Sequence, residues 1–385
     1  MIKICVITTI DITMTSFVVP AMRRFLQKGY DVTLICNMSD EFYEKYSGEF
    51  HCINIPMKRG ISISDMLTMP FRFYNIFRRE KFDYVQYATT NASWNAAFPA
   101  WLARIPVRLY CQWGLHYIAY TGFKRTVFRT LEKILSAFST HVTSPSRKNL
   151  QFAISEKLFP ASKGSMIGDG GTVGVDFTEF DYTQREHYRK EILKEYPQLE
   201  GKKVFGYLGR IETDKGINEL LEAFFALDDP SCALFLIGPF DKIRSGFKKE
   251  IIDKAKASPN VIFHGFTREV PRYLSIVDVL VHPTYREGFS MALQQAMAMG
   301  CAIVTTDIPG PSEVVEDGVS GLLVPDHDSA ALAAAMKKVK DSPELYTSLV
   351  KASLERVHTL FNRERMVELT LKNREDMMRS RGLIR

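Results

Sequence analysis

The chain is 385 residues long, 46% apolar and 24% charged, with a formal net charge of +6. That length exceeds one comfortable hydrophobic core and fits two domains, and the composition excludes a disordered or low-complexity chain. Basic and acidic residues interleave, and neither zinc-finger spacing nor a dense basic tract occurs. The mild charge therefore suits a diphosphate ligand or an anionic membrane surface and leaves nucleic acid without support.

The first segment, Ile2 to Thr9, is apolar and β-branched and reads as a buried strand, not a signal peptide. Ser16 to Lys28 predicts a helix ending at Gly29, and Asp31 to Cys36 the next strand. Phe71 to Lys81 and Tyr117 to Lys133 mix aromatics with Arg and Lys. The plainer reading is a pair of amphipathic helices packed on a sheet, and the alternative is contact with a membrane surface. Phe82 to Tyr87, Val107 to Cys111 and His141 to Thr143 predict further strands. This βαβ rhythm argues for a parallel sheet covered by helices.

The rhythm weakens from Phe159 to Glu200, where Gly168, Gly170, Gly171 and Gly174 crowd together. A second βαβ series starts at Val204. The predicted organisation is α/β: residues 1–175 form one Rossmann-like domain and 176–362 a second. The last helix, within 363–385, is expected to cross back to the first domain. Two such sheets place the default ligand site in the cleft on which the carboxyl ends of their strands face. No apolar run is long enough to span a bilayer, so a soluble or peripheral protein is expected. The six scattered cysteines form neither a CxxC pair nor a Cys/His cluster. They read as reduced thiols of an intracellular protein.

The strongest local pattern is YREGFSMALQQAMAMG, Tyr285 to Gly300. A strand ends at Pro283, a charged turn follows, and a helix is predicted from Phe289 to Met299. A helix start offers N–H donors to anionic groups, and Glu287 in the turn can accept two sugar hydroxyls. Gln295 lies about two turns further along nearly the same face. Alone, Glu287 would read as a helix cap. The turns that follow, Gly310 to Ser312 and Asp317-Gly318, occupy the same carboxyl end of the sheet and favour a ligand site. In GYLGRIETDKG, Arg210 follows a strand and Lys215 precedes a helix. Two cations there can hold a diphosphate, although each alone could be a surface residue. In QWGLHY, His116 follows the Val107 to Cys111 strand and could accept a hydroxyl hydrogen bond, although a lone His is more often structural. Asp11, in TTIDIT, could contact an acceptor or cap the next helix. The chain has no GxGxxG, GxSxG, HExxH or GxxxxGK[ST] motif.

Over almost its whole length the sequence resembles the retaining glycosyltransferases of family 4, which have the GT-B fold, and in particular bacterial enzymes of O-antigen, capsule and exopolysaccharide assembly. The segment EGFSMALQQAMAMGCAIVTTDIPGPSEVVEDGVSGLLV carries most of the likeness, with support from GYLGRIETDKG, HPTYREG and GDGGTVGVDFTEF. The resemblance implies that Glu287 holds the transferred sugar and that Arg210 and Lys215 hold the diphosphate. It also implies that the backbone of Gly288, Phe289, Ser290 and Met291 helps bind the diphosphate, and that His116 serves as the inter-domain histidine. Gln295 stands where the family has a second Glu that binds ribose, so it departs from the pattern. The implied reaction retains configuration and uses no metal and no cofactor beyond the nucleotide-sugar co-substrate, for which UDP is the expected carrier. The implied acceptor is a glycan or a polyprenyl-linked sugar, and the implied location is cytoplasmic, peripheral on the inner face of the membrane. The alternative is a degenerate, non-catalytic nucleotide-sugar-binding or scaffold protein, motivated by Gln295.

Overall fold

A computed structural model of the chain describes residues 1–58, 63–240 and 246–385, with the side chains of 63–67, 116 and 119 left out of the description. The chain divides into two compact units, Met1–Val173 with Glu364–Arg385, and Gly174–Arg363.

The first unit is built on seven parallel strands: β1 Lys3–Ile10, β2 Asp31–Asn37, β3 His51–Asn54, β4 Tyr84–Ala88, β5 Val107–Cys111, β6 His141–Thr143 and β7 Gly164–Ser165. Their order is β3-β2-β1-β4-β5-β6-β7. The chain therefore starts at the centre, winds outward one way, and reverses between β1 and β4. Ile4 to Ile7 and Tyr84 to Ala88 are buried, as expected for central strands covered on both faces. The single helix expected over Ser16 to Lys28 is two, Asp11–Phe17 and Val19–Gln27. Pro20 sits in the first turn of the second, where its missing N–H costs nothing, whereas inside one long helix it would clash with the preceding turn. The last helix, Arg363–Arg379, sends Leu371, Met377 and Met378 into the core cluster of Ile4, Val6 and Leu34. Its buried Arg374 donates to Gln86 at 3.2 Å.

The second unit has six parallel strands: β8 Lys203–Leu208, β9 Cys232–Ile237, β10 Val261–Gly265, β11 Val279–His282, β12 Ala302–Thr306 and β13 Leu322–Val324. The order β10-β9-β8-β11-β12-β13 again reverses, here between β8 and β11. In open parallel sheets the crevice at the carboxyl end of such a reversal is the natural ligand site. Asp278 fixes this point from below: it accepts from the Val204 amide at 2.8 Å and from Arg189 at 3.2 Å, tying the start of β11 to the start of β8.

Above the strands, Gly216 brings the turn after β8 against the turn after β11. Its φ is +70°, and an added Cβ would fall 1.9 Å from the carbonyl oxygen of Pro283. Both the left-handed conformation and the close approach require glycine. Gly216→Ala should therefore lower the unfolding free energy by about 3 kcal/mol, combining backbone strain with a backbone clash. Urea denaturation followed by circular dichroism checks this, and an unchanged midpoint would contradict the close approach.

Candidate active site

Two turns meet at the β8/β11 reversal. The first runs from Gly209 to Gly216 and the second from Pro283 to Ser290. Main-chain contacts hold them together: the Tyr285 amide donates to the Asp214 carbonyl at 3.1 Å. Arg286 of the second turn pairs with Asp214 of the first. From the neighbouring strand, Thr305 Oγ1 donates to the His282 carbonyl at 2.8 Å and Thr306 Oγ1 to the Thr284 carbonyl at 2.6 Å. Gly310, at φ +98°, lets the loop after β12 approach the Gly288 carbonyl, which an added Cβ would meet at 2.6 Å.

At the centre, Lys215 Nζ lies 2.7 Å from Glu287 Oε2, and both side chains are largely shielded from water. Burial alone would push the Glu287 carboxyl up, but the Lys215 cation and the His282 contact outweigh it and hold it well below the usual carboxylate range. Glu287 is therefore an anion at neutral pH. His282 ends β11 and is fully enclosed, and burial depresses its pKa so that the imidazole is neutral. Its Nε2 lies 3.5 Å from Glu287 Oε2 and 3.4 Å from Ser290 Oγ, and its ring stacks on Tyr207 at 5.7 Å. The Tyr207 hydroxyl donates to the Arg210 carbonyl at 2.8 Å, linking this cluster to the first turn.

The structure gathers most of the residues expected from the sequence, with differences. Lys215 occupies a short 3-10 turn, Thr213–Lys215, and the helix opens only at Ile217 after Gly216. Arg210 projects further into solvent and pairs with the fully buried Glu212. Both expected diphosphate cations thus already face carboxylates. The helix predicted from Phe289 begins at Met291, with Ser290 as its cap accepting from the Leu293 amide at 3.4 Å. Gly288 and Phe289 belong to the turn before it. Phe289 is buried and its ring meets the Phe361 ring at 5.3 Å. Gln295 is half-buried, and its side chain has no hydrogen-bond partner among the described residues. Its neighbour Gln294 is the buried one, donating to the Ser290 carbonyl at 3.2 Å.

In the first unit, Asp11 spends both oxygens on main-chain amides, Ile12 at 2.7 Å and Ser39 at 3.0 Å, so it organises the turn after β1. Beside it Thr9 and Thr89 share a hydroxyl contact of 2.7 Å, with Thr89 at φ +69°. His116 begins the short helix His116–Ala119, and its side chain lies outside the described residues. Sequence reasoning missed His282, Glu212 and Asp214. The available signal was position, since all three flank or lie in the two turns that carry Lys215 and Glu287.

A parallel sheet that reverses beneath a lysine–carboxylate pair, next to a capped helix start, has the layout in which open α/β sheets receive their ligands. The model of the "Glycosyl transferases group 1" family matches residues 188–356, and that of "Glycosyl transferase 4-like" matches residues 3–146. The chain is 27% identical to the capsular polysaccharide biosynthesis glycosyltransferase CapM of Staphylococcus aureus, over 89% of this chain and 90% of that protein. It is 24% identical to the N,N'-diacetylbacillosaminyl-diphospho-undecaprenol alpha-1,3-N-acetylgalactosaminyltransferase of Campylobacter jejuni, over 75% and 77%. The fold matches that of Anabaena Alr3699/HepE, solved in complex with UDP and glucose. The TM-score is 0.80 at 15% identity, over 98% of this chain and all (100%) of that one. The chain belongs to the family 4 glycosyltransferases of GT-B fold, among relatives of bacterial polysaccharide assembly.

The ion pair at the centre of the site predicts an acid response. The Glu287 carboxyl titrates lower folded than unfolded, so its stabilising contribution is complete above its unfolded value of about 4.3. It is lost as pH falls from there toward the folded value. Glu287→Gln removes that proton uptake. Its unfolding free energy should therefore fall less steeply than the wild type's between about pH 4.5 and 2.5, measured by urea titration at each pH. Parallel slopes would contradict the depressed carboxyl.

Proposed function

We propose that the protein is a retaining glycosyltransferase that moves a sugar from a nucleoside-diphosphate sugar to a hydroxyl of a glycan or lipid-linked acceptor in bacterial surface polysaccharide synthesis. The observation that carries this reading is the Lys215–Glu287 pair, 2.7 Å apart at the carboxyl ends of β8 and β11. Glu287, ionised and oriented by Lys215 and His282, accepts hydrogen bonds from hydroxyls of the donor sugar. Lys215 and Arg210 face the diphosphate, joined by the amides at the Ser290-capped helix start. UDP is the carrier this reading expects. Support comes from the UDP-bound neighbour and from a relative whose name specifies a diphospho-undecaprenol substrate.

In this reaction the acceptor oxygen forms a bond to the anomeric carbon while the bond from that carbon to the diphosphate oxygen breaks. The acceptor proton passes to the departing diphosphate, and both events occur on one face of the sugar, so configuration is retained. The cations neutralise charge that grows on the leaving group, where preorganised electrostatics contribute most. No metal or redox cofactor is part of this scheme. The described residues contain no helix long and apolar enough to cross a membrane. We place the enzyme's work at the inner membrane surface, where a lipid-linked acceptor resides.

A panel of nucleotide sugars tested for protection against thermal unfolding addresses the donor, and one UDP-sugar should raise the melting temperature selectively. Glu287→Ala should cut turnover by about a hundredfold or more with its fold intact. Lys215→Ala should weaken nucleoside-diphosphate binding by about tenfold in calorimetry. Turnover should survive EDTA. Near-normal kinetics in Glu287→Ala, or complete loss on chelation that metal restores, would each overturn part of the scheme. Donor binding without turnover would favour the scaffold reading that Gln295 raises.

A further inference from the structure

The last helix, Arg363–Arg379, carries a buried cation that the proposed chemistry does not use. Arg374 is 3% exposed. Its guanidinium has five N–H donors. Three are taken: Nε by Gln86 Oε1 at 3.2 Å, Nη1 by Asn373 Oδ1, and Nη2 by Cys111 Sγ at 3.6 Å. All three partners are neutral, and no carboxylate among the described residues pairs with it. The Cys111 thiol does not supply the missing charge, because burial pushes its pKa up and keeps it protonated. The same excess of positive charge reaches His141, whose pKa is pushed down to about 4, first by burial and then by Arg381, Arg374, Arg108 and Lys163. A charge withdrawn from water without a counter-charge is strongly unfavourable.

Arg374 borders a small cavity over β4, β5 and β6. Gln86, Cys111 and Thr143 line it from the strands, the helices Asp11–Phe17 and Val19–Gln27 from one side, the last helix from another, and the loop over 167–172 closes it. No acidic side chain lines it. Its interior of about 20 Å³ holds one body the size of a water molecule or a chloride ion. Two neutral donors join the guanidinium there. Thr370, four positions before Arg374 and on the same helix face, is buried, and its Oγ1 has no hydrogen-bond partner. Gln86 accepts through its oxygen from the Tyr84 hydroxyl at 2.9 Å as well as from Arg374, which leaves its NH2 group without a partner among the described residues. The other hydroxyls at the cavity are spent: Thr143 donates to Cys111 Sγ at 3.4 Å and Ser144 to Gln112 Oε1 at 3.2 Å. Free donors therefore converge on a space that lacks negative charge. A water molecule would satisfy the Thr370 hydroxyl and leave the cation uncompensated, whereas a phosphate or a carboxylate ligand exceeds the space.

We propose that this cavity is a binding site for a chloride ion, held by the remaining N–H groups of Arg374, the Thr370 hydroxyl and the Gln86 amide. The ion supplies the counter-charge that the protein lacks there and ties the last helix to β4. The cavity belongs wholly to the first unit. It is lined by the loop through which the chain leaves that unit, just before Val173, and by the helix on which it returns at Glu364. Occupancy therefore fastens both segments to the sheet. The site shares no residue with the two turns that carry Lys215 and Glu287, so the inference does not rest on the proposed function.

The experiment is thermal unfolding of the full chain in sodium gluconate, an anion too large for the cavity, replaced stepwise by sodium chloride at constant ionic strength. The wild type's melting temperature should rise saturably with chloride, by about 2–4 °C. Bromide should act alike, and crystals soaked in bromide should show an anomalous peak beside the Arg374 guanidinium. Arg374→Met keeps an unbranched side chain without the charge and should lose the chloride response. Thr370→Val keeps the cation and removes one donor, so its half-saturating chloride concentration should rise by about tenfold. That variant and the bromide peak decide the matter if Arg374→Met does not fold. A wild-type melting temperature indifferent to chloride, or soaked crystals without the peak, means that water fills the cavity and overturns the proposal. An unchanged chloride response in Arg374→Met or Thr370→Val places the anion elsewhere and overturns it too. Stronger saturable stabilisation by sulfate or phosphate would reveal a larger anion site and overturn the assignment to chloride.

Discussion

The second unit is organised around one buried carboxylate. Taking Glu287 out of water costs several kcal/mol unless a counter-charge and hydrogen bonds replace the lost hydration. Lys215 supplies the counter-charge, and it can do so only because the turn after β8 reaches the turn after β11. That approach requires Gly216 beneath the Pro283 carbonyl, Asp214 receiving the Tyr285 amide, and the Arg286–Asp214 pair as a second strap. Removing one partner of such a pair costs about 3–5 kcal/mol, because the other charge stays buried. The two turns therefore brace one another, and the reversal of strand order between β8 and β11 is what makes them neighbours.

Much of this was legible in the sequence. The bounds of β5 and β6 coincide with the predicted runs Val107 to Cys111 and His141 to Thr143, since a strand inside a parallel sheet is covered on both faces and ends where turn residues begin. Lys215 and Glu287 were legible because each sits in a turn after a strand, the position that faces ligand in a parallel sheet. Boundaries set by side-chain capping were less legible. Ser290 can cap through its hydroxyl or continue a helix, and only the observed bond to the Leu293 amide settles a start at Met291. The break at Val18 followed from Pro20, a signal that the apolar periodicity of the segment obscured.

His282 was hidden for a different reason. In VLVH it completes a buried strand, and a lone histidine at a strand end carries no spacing information. Its function arises from tertiary contacts, with Tyr207 stacked on its face and Glu287 and Ser290 at its Nε2. Kept neutral by burial, the imidazole can donate one proton from Nε2 toward the carboxylate and the serine without adding a second positive charge. Asp11 shows the converse. Its position after β1 was conspicuous, yet both its oxygens are used by the backbone.

The cations raise one further point. Arg210, Lys215 and Arg286 are matched by Glu212, Glu287 and Asp214, so the cluster is close to neutral with nothing bound. A site that held bare cations would pay self-repulsion in the empty enzyme, and one that locked them in buried pairs could not release them to a diphosphate. The two pairs differ in this respect. Lys215–Glu287 is shielded on both sides, whereas the Arg210 side chain is 53% exposed over a Glu212 that is 0% exposed. In the function proposed above, a diphosphate would draw on Arg210 by rotation of a solvent-facing side chain, while Lys215 would meet it from a fixed place beside Glu287. The rigid pair orients and the mobile one responds to charge, a division that follows from burial alone.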